Sequence, residues 1–149
     1  MAQTYFGSTL RAGSGTLTDS VDGGFVVMTQ VVSVTTLAAG TAVTAVETLP
    51  AGSQILNIVI DQIVDEAVGG GSATAIAATV GTAAAGTQYV TSTNVIAGGR
   101  LTPTFTTAQL LAMSNINSNT GVYFTIAPNG TISTTQGVYT MTVVYAQKV

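Results

Sequence analysis

Asp61, Asp65 and Glu66 form the densest group of side chains that could do chemistry in this chain. Two carboxylates facing each other across a cleft are the machinery of a glycoside hydrolase, one as acid and the other as base or nucleophile. The three acids instead sit where a strand candidate runs out into Gly69-Gly70-Gly71-Ser72, which suits a solvated strand end. Little else could assist them. The sequence contains no His and no Cys, and Lys148 is its only lysine. That composition leaves out His-based triads, thiol nucleophiles, His/Cys zinc sites and the usual general base at neutral pH. Asp19-Ser20-Val21-Asp22-Gly23 has the acidic start of a calcium loop, but Ser20, Val21 and Gly24 do not supply the ligand spacing of an EF-hand. The Gly69–Gly71 run lacks the Lys-Ser or Lys-Thr of a phosphate-binding loop. Tyr89, Tyr123, Tyr139 and Tyr145 could build a sugar platform, yet the alternating positions of Tyr139 and Tyr145 assign them to a core or an interface. Asn129-Gly130-Thr131 fits the glycosylation triplet, but without a visible secretion signal the hairpin-turn reading prevails. The expectation is a protein without catalytic activity, cofactor or metal.

The scarcity of charge points elsewhere. Charged residues make up 6% of the 149 residues, with three cations and a net charge of −3. Ordinary domains carry about 25%. Three cations cannot form the basic patch that phosphate binding needs, so no nucleic-acid partner is expected. Apolar runs such as residues 55–60 are far shorter than the roughly 18–20 residues of a membrane-spanning helix, and Asn57 interrupts that one. Residues 1–6 show no basic stretch followed by an apolar one, so neither a membrane partner nor a secretion signal is expected. Thr, Ser and Val on a surface need little charge if much of that surface is covered by other subunits, whereas a free monomer normally keeps mixed surface charge. A homo-oligomer follows as the expectation.

The elements that must carry these residues are strands. Residues 25–36, 41–49, 54–64, 74–82, 87–92, 101–106, 122–126 and 138–146 are rich in Val and Thr. Pro50-Ala51-Gly52, Gly69–Gly71, Gly98-Gly99 and Pro128-Asn129-Gly130 punctuate them, the last carrying the Asn-Gly hairpin signal. Period-2 alternation puts Leu56, Ile58 and Ile60 on one face, Ile76, Ala78 and Val80 on another, and Tyr139, Met141, Val143 and Tyr145 on a third. Pro103 marks an edge strand or bulge. Thr107–Met113 is the one helical stretch, with Thr107 as cap and Leu110, Leu111 and Met113 packed inward. Eight or nine short strands with frequent turns predict an all-β fold, an antiparallel β-sandwich that is jelly-roll-like, over residues 25–149. Residues 1–24 are Gly-rich with few apolar positions and read as an extended N-terminal arm, in which Tyr5, Phe6 and Leu10 would anchor on a neighbour and Arg11 would pair with an acid.

Leu49-Pro50-Ala51-Gly52-Ser53-Gln54-Ile55, then Thr79-Val80-Gly81-Thr82, Gly86-Thr87-Gln88-Tyr89 and the Val143-Val144-Tyr145 strand, give residues 30–147 a resemblance to a known group. The chain resembles small structural proteins of tailed bacteriophages, especially the jelly-roll decoration or cement proteins of capsid surfaces. That resemblance implies a place on the outer face of an icosahedral head, contact with the major capsid protein, a trimeric state and a role in reinforcing the shell. It carries over no catalytic residue. The rival readings are another virion part, such as a tail or fibre protein, and a secreted carbohydrate-binding sandwich.

Overall fold

Strand formation follows the β-branched runs. A computed structural model describes residues 25–65, 71–114, 116–132 and 135–148. The expected arm at residues 1–24, with Tyr5, Phe6, Leu10 and Arg11, lies outside the described residues, as do Glu66 and Gly69-Gly70. Eight strands are found among the described residues: β1 (Phe25–Thr35), β2 (Val43–Leu49), β3 (Ser53–Val64), β4 (Ile76–Gly81), β5 (Val90–Asn94), β6 (Arg100–Leu101), β7 (Thr120–Pro128) and β8 (Val138–Lys148). One helix, α1 (Thr107–Met113), separates β6 from β7.

The strands form two four-stranded sheets, β1-β8-β3-β6 and β2-β7-β4-β5, and every pairing is antiparallel. The first strand pairs with the last, the second with the seventh, the third with the sixth and the fourth with the fifth. This nesting is a double-sheet jelly roll, so the expected antiparallel sandwich is the fold observed. Pro128-Asn129-Gly130 does not make the expected hairpin. It lets the chain cross between sheets, because β7 and β8 belong to different ones. The Asn129 Oδ1 there accepts the backbone N–H groups of Thr74 and Ala75 at 2.8 and 3.0 Å, and its Nδ2 donates to the Thr74 hydroxyl. The side chain thus staples the crossover to the entry of β4.

The central strands supply the core. Tyr139, Met141, Val143 and Tyr145 of β8 face Val122, Phe124 and Ile126 of β7, with Ile58 and Ile60 of β3 and Ile76, Ala78 and Val80 of β4 beside them, all fully or nearly fully buried. Burying a side chain of this size stabilises the fold by about 1.5–3 kcal/mol. One alternation breaks. The pairing of β3 with β8 shifts between Ile55 and Asn57, so Ile55 and Ile58 both point inward and Leu56 points out. Leu56 is the extra residue of a β-bulge, which simple period-2 reading cannot anticipate. Asn57 helps to hold the kink by accepting the Ile58 N–H on its own side chain at 2.9 Å.

Helix α1 occupies the expected residues with a different cap and a different inner face. Thr106, not Thr107, is the N-cap: its hydroxyl accepts the Gln109 N–H, and the Gln109 side chain accepts the Thr106 N–H, a reciprocal capping box. Gln109 and Met113, one helical turn apart, face inward. Leu110 and Leu111 are exposed, contrary to the expectation. The strand expected at residues 101–106 shrinks to Arg100–Leu101 at the edge of its sheet, and the chain leaves it before the buried Pro103.

Candidate assembly interface

The acids are not gathered into a cleft. Asp61 lies on the outer face of β3 opposite Arg100 of β6, and its two carboxylate oxygens accept Arg100 Nε at 2.8 Å and Nη2 at 3.2 Å. The hydrogen bond from Arg100, and next the charge of Asp61, raise the guanidinium pKa further above its already high value, so this residue stays cationic. Asp65 accepts a hydrogen bond from Gln62 Nε2 at 3.3 Å, and the same Nε2 donates to Tyr139 Oη at 3.1 Å. Among the described residues no three His, Cys, Asp or Glu side chains converge as a metal site would require. The tyrosines do not form a platform either: Tyr89, Tyr139 and Tyr145 are buried in the core, and burial pushes the Tyr89 phenol pKa up, which keeps it neutral. Tyr123 stands half-buried beside Val46 of β2.

What the sandwich offers to the outside is the open face of the β1-β8-β3 sheet. Its rows follow from the register. Thr29 lies beside Val144 and Asn57, Val31 beside Thr142 and Val59, and Ser33 beside Thr140 and Asp61. Asp61, already paired with Arg100, is the only charged side chain in these three rows. The β1 end of this face is apolar: Phe25, Val27 and Val31 are 60%, 62% and 56% exposed. Strand β1 also terminates its sheet, so its outer backbone edge has no strand partner among the described residues.

The two sheets differ in reach. Strands β1, β8 and β3 have 11, 11 and 12 residues, against 7 for β2 and 9 for β7. On the β3 side the overhang is closed by the segment after α1, where Ile116 exchanges backbone hydrogen bonds with Gly52 and Ser53 and lies buried beside the core with Met113. On the β1 side no described residue closes it. Val26 and Met28 have the inward parity of the buried Val34, yet they are 44% and 45% exposed. Among the described residues, Met28 there accepts a hydrogen bond from Tyr145 Oη on its Sδ at 3.7 Å. Among the described residues, the start of β1 is therefore apolar and uncovered on both faces.

The architecture has known counterparts. The chain shares its fold with proteins of two phage capsids. One is from a structure described as the capsid of Ralstonia phage GP4, with a TM-score of 0.57, 17% identity and coverage of 85% of this chain and 86% of that one. The other is from the cyanophage Pam1 capsid asymmetric unit, with a TM-score of 0.54, 22% identity and coverage of 99% of both chains. The sequence matches no protein-family profile and no curated protein.

Sequence reasoning missed the exposed side chains of β1. A signal for them was present: residues 25–46 contain no charged residue at all, and a strand with apolar residues at both parities is written for covering on both faces. The Asp61–Arg100 pair had no such signal, because 39 residues separate its members and only the strand order brings them together.

Proposed function

We propose that this chain is a structural virion protein of a bacteriophage that binds the outer surface of the capsid and stabilises it by contacts bridging neighbouring subunits. The observation that carries this reading is the open β1-β8-β3 face, nearly uncharged and apolar at one end, on a sandwich whose fold is matched along 99% of its length by a chain from a phage capsid. A face of this kind is costly in a free monomer and favourable once covered. The protein works as a homo-oligomer, with a trimer favoured, and its partner is the major capsid protein. Residues 1–24 extend the interface, with Tyr5, Phe6, Leu10 and Arg11 as anchors. The reading needs no catalytic group, cofactor or metal.

The test is attachment. Heads purified from a phage deleted for this gene are mixed with the purified chain, and its co-sedimentation with the heads is measured against concentration. Saturable binding, with heads that then resist heat or dilution better, supports the role. No binding to heads, with binding to tails or to polysaccharide, overturns it in favour of the tail-protein or sugar-binding alternative.

A further inference from the structure

We propose that Asn129 is a site of spontaneous deamidation promoted by the fold, at which an amide of the β7–β8 crossover becomes a carboxylate. In this reaction the backbone nitrogen of the next residue attacks the side-chain Cγ, so the bulk of that next residue matters. Of the six asparagines, four precede Ile, Val or Thr, whose branched side chains crowd the following nitrogen, and Asn117 precedes Ser118. Asn129 alone precedes a glycine. Packing demands that glycine: a Cβ at 130 would lie 2.6–2.9 Å from the hydroxyl and backbone of Ser72. The least hindered nucleophile in the chain is thus fixed by a close approach of two backbones.

The surroundings of the amide suit the reaction. Asn129 Oδ1 accepts the backbone N–H groups of Thr74 at 2.8 Å and Ala75 at 3.0 Å. Two fixed donors of this kind stabilise the negative charge that develops on a carbonyl oxygen under attack. The Asn129 N–H is itself tied to the Ala75 carbonyl at 3.0 Å, whereas the Gly130 N–H donates to no group among the described residues. Nδ2, the leaving nitrogen, donates to the Thr74 hydroxyl at 2.9 Å, so a group able to return a proton already touches it. The Gly130 nitrogen gives its proton to water and bonds to Cγ. The Cγ–Nδ2 bond then breaks, and ammonia leaves with a proton from the Thr74 hydroxyl, which water replaces. Water opens the resulting succinimide at either carbonyl, giving aspartate or isoaspartate, with one water consumed and one ammonia released. Aspartate keeps both backbone N–H bonds and loses the donor to Thr74. Isoaspartate also lengthens the main chain by one carbon, which loosens the staple between the crossover and β4. The inference stands on the free protein and does not rest on attachment to a capsid.

The test is timed peptide mass spectrometry on the full chain, kept folded in mildly alkaline buffer, against the same chain unfolded in urea at the same pH and temperature. Asn129 should convert before the other asparagines, and at least as fast in the folded chain as in urea. Thr74→Val leaves both backbone donors in place at an exposed position. It should convert at least roughly fivefold more slowly with an unchanged melting temperature, and Thr74→Ser should restore the rate. Slower conversion of Asn129 in the folded chain than in urea would overturn the proposal, since the staple would then protect the amide. First conversion at Asn117 would overturn it as well. An unchanged rate in Thr74→Val would remove the hydroxyl from the proposed step.

Discussion

Replacing Val31 by Glu separates the two surfaces of β1. Val31 projects from the open face beside Thr142 and is 56% exposed, whereas Val34, three residues on, is buried in the core. In the isolated protein the new carboxylate at 31 stays in water. Its cost is the difference in strand preference between Val and Glu, which spans about 1 kcal/mol at most. With a urea m-value of roughly 1–3 kcal/mol/M, the unfolding midpoint should fall by less than about 1 M. Attachment should respond far more strongly. An unpaired charge buried at an interface costs roughly 3–5 kcal/mol. At about 1.4 kcal/mol per factor of ten, the apparent dissociation constant for heads lacking the protein should rise by about two to three and a half orders of magnitude. The matched variant Val34→Glu should lose at least roughly 3–5 kcal/mol of stability, a large share of the about 5–15 kcal/mol of a whole domain, and its unfolding midpoint should fall far more than that of Val31→Glu. Urea titration and head co-sedimentation measure the two quantities separately. A Val31→Glu chain that unfolds like Val34→Glu would refute the assignment of the faces. One that folds and attaches with unchanged affinity would refute the use of this face for assembly.

Phe124→Ala, in the fully buried centre of β7, should destabilise by about 3–5 kcal/mol in the same titration. Thr106→Ala removes the hydroxyl half of the capping box and should cost about 0.5–2 kcal/mol, with the loss of amide protection confined to α1 and its neighbours in hydrogen exchange. Gly40→Ala should be far more damaging than Gly99→Ala. Both positions have positive φ, but a Cβ at 40 would run into the Gly130 carbonyl, while one at 99 meets nothing. The melting temperatures should rank accordingly, with the Gly99 variant showing only the left-handed penalty of roughly 1–2 kcal/mol. Arg100→Gln should leave the melting temperature nearly unchanged at physiological salt, since the Asp61 pair is exposed on the arginine side and screened.

The legible parts of the fold were those where local pattern and tertiary environment agree. Tyr139, Met141, Val143 and Tyr145 alternate in sequence and are all buried, because β8 lies at the centre of its sheet with one face on the core. Pro50-Ala51-Gly52 is the tight turn its residues require: Gly52 takes a φ of +81°, and the Ser53 hydroxyl donates to the Pro50 carbonyl at 2.7 Å. Where the fold departs from regular geometry, the pattern misleads. Leu56 continues the alternation of Ile58 and Ile60 in sequence but is turned outward by one inserted residue. Leu110 and Leu111 look like an inner helical face, yet the helix is oriented by its capping box and by Met113, which leaves both outside. Asn129-Gly130 has a hairpin sequence without a hairpin, because the Asn129 side chain finds its partners on β4's approach and the nested pairing sends the chain to the other sheet. The candidate interface was legible only as a composition. Low charge raised the expectation of a covered surface, but the candidate face depends on strand order and on the unequal lengths of the two sheets, neither of which has a local signature.

The proposed place on a capsid surface is tested most directly by cryo-electron-microscopy reconstructions of virions produced with and without this gene. Density for the two-sheet sandwich should cover the outside of the head at symmetry-related positions, with the β1-β8-β3 face turned toward neighbouring subunits, and should vanish in the deletion. Identical head surfaces in the two reconstructions, or the sandwich found only in the tail, would contradict it.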